Sequence, residues 1–197
     1  MPQRAGQAAR RGGRPRDPNL DARILEAAAD QLVSDGYAGV SIEGVAARAG
    51  VGKATIYRRF PDRAQLVVAA VRFAAQFDDR LPDTGNLRAD LRVMIEALFE
   101  RLRGEDGLLL TAFAAERARH PDLAEEFDRA VVGRKREHLR RLVGSAVERG
   151  ELPLGADVAL IAEAGPAILW HHALHGLGFS DDLPERILDL ILGPPRA

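Results

Sequence analysis

The sequence predicts an all-α fold: an N-terminal three-helix unit built around a helix-turn-helix, followed by a larger helical bundle. Apolar residues recur at helical spacing over long stretches, as at Leu87, Leu91, Met94, Ile95, Leu98, Phe99 and Leu102, which places them on one helix face. No run alternates apolar and polar residues between hairpin turns, so strands have no signature. Helical segments are brief between positions 41 and 60 and long after 62, which separates a small unit from a larger one.

The elements follow in order. Residues 1–16 hold five arginines, two prolines and no acidic residue, so a flexible basic arm is expected over 1–18. Asp17-Pro18 reads as an N-cap followed by proline at the first helical position. The helix it opens carries Ile24, Leu25, Ala28 and Leu32 on one face and stops at Gly36. From Ser41 two helices of about two turns each are expected, punctuated by Gly50-Val51-Gly52 and stopped by Phe60-Pro61. A longer helix is predicted over 63–80. Leu81-Pro82-Asp83-Thr84-Gly85 then marks a domain boundary, giving domains over 19–80 and 81–197. Helices over about 107–118, 122–149, 156–178 and 183–192 complete the second.

A chain of 197 residues, 46% hydrophobic and 29% charged, holds one sizeable core or two small ones joined by a shared helix. No apolar run reaches the ~20 residues of a membrane span and no apolar h-region follows the N-terminal arginines, so a cytoplasmic protein is expected. The lack of cysteine excludes disulfides, thiolate nucleophiles and cysteine-ligated zinc. No G-x-S-x-G, Walker loop, H-E-x-x-H or dinucleotide fingerprint occurs, so neither an enzyme class nor a cofactor is indicated. The net charge of −1 conceals an asymmetry: residues 1–63 hold 11 basic against 7 acidic side chains, the remainder 17 against 22. A basic N-terminal third on an acidic body points one end toward a polyanion.

The stretch from Ser41 to Phe60 scans as a helix-turn-helix. Ala46 supplies the small residue at the closest approach of two steeply crossing helices, and Gly50 the positive φ of the turn. Ile42, Val45, Val51, Ile56 and Phe60 form a miniature core behind them. Lys53, Ala54, Thr55, Tyr57 and Arg58 then lie on the outer part of the second helix, where a major groove can be met, and Ser41 caps the first helix near a phosphate. The same spacing also fits any tight αα-hairpin whose Lys53, Arg58 and Arg59 are a solvated face.

Gly36-Tyr37, Ser41, Val45-Ala46, Gly50-Val51 and Thr55-Ile56-Tyr57-Arg58-Arg59-Phe60-Pro61, followed by Leu66, resemble the signature of the TetR family of bacterial transcription regulators, over about residues 19–78. The resemblance implies a regulator that binds operator DNA, most often as a repressor released by a small molecule. It implies that Lys53 and Thr55 approach base edges or backbone, that Ser41 and Tyr57 contact phosphates, and that the helix after Pro61 links the DNA-binding and ligand-binding regions. Ala54 and Arg58 share the groove-facing surface. The competing readings are a helical small-molecule-binding or enzymatic domain with a basic tail, and a non-specific nucleic-acid compaction protein, against which the near-neutral charge speaks.

Residues 156–178 are apolar around most of the helical circumference, more than one buried face requires, so this helix is either central in a monomer or packed against a second subunit. The resemblance implies a homodimer through about 156–178 and 183–192, hence a palindromic operator, with Leu169 and Leu174 as contact positions. Phe73, Phe77, Met94, Phe99, Phe113, Phe127 and Trp170 are candidates to line a cavity for an apolar effector, and equally candidates for ordinary core. His171 and His175 stand four apart on a helix, but no carboxylate repeats the spacing and no metal site is assigned. Arg134-Lys135-Arg136 and Arg140-Arg141 read as a solvated helix face. In the arm, Gly13-Arg14-Pro15-Arg16 resembles an AT-hook core, making Arg14 and Arg16 candidate minor-groove contacts.

Overall fold

The computed structural model describes residues 18–77 and 81–194. They form ten α-helices and no strand: α1 (Pro18–Gly39), α2 (Ile42–Ala49), α3 (Lys53–Tyr57), α4 (Arg63–Ala74), α5 (Leu87–Arg103), α6 (Asp106–Arg117), α7 (Pro121–Phe127), α8 (Gly133–Glu148), α9 (Val158–His175) and α10 (Leu183–Leu192). The expected cap at Asp17 lies outside the described residues. Gly36 breaks the regular helix of α1 with φ 68° and ψ 174°, where the sequence predicts the stop.

Helices α1 to α4 make the N-terminal head. Ile24, Leu32, Val45, Ile56, Leu66 and Val71 are among its fully buried side chains, and α1 packs on both α2 and α4. Polar side chains close the helix starts: Ser41 Oγ accepts from Gly44 N at 3.0 Å, and Asp62 Oδ1 from Gln65 N at 2.8 Å. Gly50 takes φ 65° and ψ 41°, and its N–H closes α2 onto Ala46 and Ala47. The helix predicted to run to position 80 instead ends at Ala74. Its termination is a tertiary effect: Arg101, from α5, donates through Nε to the Ala75 carbonyl at 2.8 Å and through Nη2 to that of Gln76 at 3.1 Å. Gln76 is turned to φ 46° there.

Helices α5 to α10 make the body, with Leu91, Ile95, Phe113, Leu123, Val143, Leu169 and Leu188 at its centre. The connection between head and body is fastened down. Thr84 donates its N–H and hydroxyl to buried Asp90, and the Pro82 carbonyl lies 2.6 Å from His138 Nε2. The single helix predicted over 122–149 is two helices joined by a π-helical turn at Asp128–Val132, where Gly133 N–H reaches back five residues to the Asp128 carbonyl. Arg88 ties α5 to α10 through Glu185 at 2.8 Å and Asp189 at 2.9 Å. Among the described residues no helix is long and apolar enough to cross a membrane.

Candidate nucleic-acid interface

The recognition surface is set by how α2 and α3 are held on α1. Gln31 of α1 is buried and its Oε1 accepts the Ser41 backbone N–H at 3.1 Å, which pins the start of α2. Gly44 lets this happen, since a Cβ there would stand 2.2 Å from Gln31 Nε2. Gln31 escaped the sequence reading. Its signal is a polar residue on the apolar face of α1, beside Leu32 and one turn from Ala28.

On α3, buried Ile56 faces the head and thereby turns Lys53, Ala54, Tyr57 and Arg58 outward; all four are exposed, Tyr57 by 51%. Thr55 is half-buried at the edge of that face. Ser41 is exposed, with its hydroxyl engaged in the cap. Lys53 Nζ pairs with Glu43 Oε1 of α2 at 2.5 Å, and that hydrogen bond holds the Glu43 carboxyl below the usual carboxylate range. Arg59 does not belong to the solvated face: its guanidinium bonds Asp21 of α1, and Nη1 donates to the Thr55 carbonyl at 3.3 Å. It is a strut that holds the end of α3 against α1. Arg14 and Arg16 lie outside the described residues.

Of the seven effector candidates, Phe77 borders one hollow and Phe99 another, and Phe127 is buried. Phe99 and Phe113 are buried, Phe77, Met94 and Trp170 half-buried, and Phe73 is 43% exposed. Phe77 borders a cleft of about 10 Å³ with Arg72, Leu81, Val131 and Lys135, space for one water. Phe99 borders an open groove of about 420 Å³ lined mainly by charged side chains, among them Arg92, Glu96, Arg103 and Asp181. The His171 and His175 rings are 4.5 Å apart, yet no group of three potential ligands occurs among the described residues. On α9 only Ala162, Gly165 and Leu169 are fully buried, while Leu160 (65%) and Leu174 (54%) are exposed, as is Leu190 (75%) on α10. Leu169, expected at a subunit contact, is packed into its own chain.

A capped helix, a left-handed glycine turn and a second helix with a cationic outer face define a helix-turn-helix DNA-binding protein with a helical companion domain. Residues 24–70 match the family described as bacterial regulatory proteins, tetR family, and residues 81–191 match the tetracyclin repressor-like C-terminal domain. The chain is 32% identical over 188 residues to the DNA-binding transcriptional repressor TetR of Mycobacteroides abscessus, covering 90% of this chain and 94% of that one. A TetR family transcription regulator of known structure superposes with TM-score 0.64 at 25% identity, over 90% of this chain and all of that one. The regulator FadR from Bacillus subtilis, solved with stearoyl-CoA, shares the fold at TM-score 0.71 and 19% identity, over 88% of this chain and 98% of that one. The chain belongs to the TetR family, as the residues from Gly36 to Phe60 imply, and is a DNA-binding transcriptional regulator.

Proposed function

We propose that this regulator is a homodimeric repressor that grips a palindromic operator in the cytoplasm and leaves it when an apolar effector binds the body. The observation that carries the reading is the outer face of α3: Lys53, Ala54, Tyr57 and Arg58 point outward because Ile56 is buried behind them. Thr55 lies at the edge of this surface, and Ser41 brings the N-terminus of α2 toward a phosphate. In this reading residues 19–80 are the DNA-binding domain and 81–197 the effector-binding and dimerisation domain.

The dimer forms through α9 and α10, whose exposed leucines leave an apolar surface that a second copy would cover and that would set two α3 helices about one turn of DNA, ~34 Å, apart. An acyl-bearing ligand on a protein of the same fold supports an apolar effector here. It would enter among Phe73, Phe77, Met94, Phe99, Phe113 and Trp170 by displacing packed side chains, and it must bind the DNA-incompetent arrangement better, because equal affinity shifts nothing. Arg14 and Arg16 add minor-groove contacts. Removal of residues 1–16 is expected to weaken operator binding and to flatten its salt dependence by roughly 0.9 log unit per lost phosphate contact.

Selection of bound sequences from random duplex DNA tests the whole reading. A recovered palindrome supports specificity, two-fold symmetry and the half-site spacing together; recovery of unrelated sequences overturns it.

A further inference from the structure

The break at Gly36 uses a backbone conformation that only glycine adopts without strain. Tyr37 follows it into the seam between head and body. Its ring is fully buried, with the Arg63 guanidinium 4.2 Å from the ring centre and the His120 ring at 4.8 Å. Its hydroxyl donates to Asp122 Oδ2 at 2.6 Å. Around this bond, His120 Nε2 lies 3.3 Å from Glu116 Oε2, and a side chain at position 36 would begin 3.2 Å from Glu116 Oε1. The head thus contributes Gly36, Tyr37 and Arg63, and the body contributes Glu116, His120 and Asp122.

The place matters mechanically. Arg63 opens α4 directly after the turn that leaves the recognition helix. The far end of α4 is held by Arg101. The start of α4 leans on α1, where Arg63 lies over the Tyr37 ring and its Nη1 donates to the Ala38 carbonyl at 3.4 Å, so the Tyr37–Asp122 bond ties α1, and through Arg63 the start of α4, to the body. Apolar packing between them is non-directional and tolerates small rotations, whereas a hydroxyl–carboxylate bond is short, charge-assisted and sensitive to angle.

We propose that the Tyr37–Asp122 bond sets the angle of the DNA-binding head on the body, which makes Tyr37 and Asp122 positioning residues for the recognition helix. The inference rests on the DNA-binding reading above. Without the bond, the Tyr37 and Arg63 end of the head is held to the body by non-directional packing alone while the far end of α4 keeps Arg101, so α3 samples more orientations and ordering it on DNA costs more. Burial first, and then Asp122, push the Tyr37 phenol up to about 12, while the same hydrogen bond holds the Asp122 carboxyl below its ordinary value. Donor and acceptor therefore keep their forms across the neutral range.

The test compares the full chain with Tyr37→Phe, Asp122→Ala and the double variant, using operator recovered by selection, at a temperature where circular dichroism shows all four folded. Each single change is expected to weaken operator binding by ~5-fold or more, and the double change by no more than the larger single effect. Backbone hydrogen exchange should accelerate over 63–74 while 87–103 keeps its protection. A contact that only stabilises the fold would lower the melting temperature and leave operator affinity unchanged; that result overturns the proposal, as do additive effects or unchanged exchange over 63–74. If the wild-type chain recovers no operator, the DNA-binding reading falls, and the exchange measurement alone decides the seam contact.

Discussion

Lys53 has two suitors: Glu43, 2.5 Å away across the turn, and the DNA phosphate it is proposed to meet. Both side chains of the pair are exposed, so it adds little stability, but the complex must break it or carry an extra negative charge toward the groove. Glu43→Gln is therefore expected to tighten binding to random duplex by up to about fivefold, with stability within about 0.5 kcal/mol. Fluorescence anisotropy against salt measures this, and an unchanged random-duplex affinity would count against it. The buried phenol makes a second prediction. Because the folded pKa of Tyr37 is raised from 10.0 to about 12, its stabilising contribution is complete below pH 10 and is lost as pH rises through the folded value. Tyr37→Phe should lower stability by about 1–2 kcal/mol at pH 7, where the bond is intact, and remove the further loss on raising the pH from 9 to 12 in a denaturation series. The outward face of α3 was legible in the sequence because Ile56 and Phe60 fall on the opposite side. Gln31 and the Arg59–Asp21 strut were not, since a side chain's long-range partner leaves no periodic trace.

At the scale of elements, local chemistry governs how helices start and turn. Gly50 has open space where a Cβ would go, so Gly50→Ala costs only the left-handed backbone, about 1 kcal/mol, and chemical denaturation should show a loss of that size. Ser41→Ala removes the acceptor for Gly44 N–H and is expected to cost about 1 kcal/mol as well, with an added loss of operator affinity if the α2 terminus meets a phosphate. Helix ends set from a distance were harder to read. The apolar period continues past Ala74 in the sequence, and only Arg101, 26 positions beyond Ala75, shows why α4 stops. The π turn at Asp128–Val132 is hidden in the same way, because a helix with one extra residue keeps nearly the same apolar stripe.

For the whole molecule, the exposed leucines of α9 and α10 carry the prediction. Leu174→Glu is expected to give monomers by light scattering, with folded helix retained and operator binding weakened by more than tenfold as two-site avidity is lost. Leu169→Glu should behave differently: it introduces a charge into a fully buried position and is expected to unfold the body before it separates any subunits. A wild-type chain that is monomeric at micromolar concentration would contradict the dimer proposal.

The sequence by itself determined the helical class, the order of the helices, the turn at Gly50 and the family, because periodicity, caps and glycine turns are written within a few residues of where they act. Only the tertiary structure decided which apolar residues are core and which stay exposed, where α4 ends, and that Tyr37 reaches Asp122, 85 positions away. Those contacts join residues brought together by packing, and packing depends on how the faces of several helices meet, which no local pattern encodes.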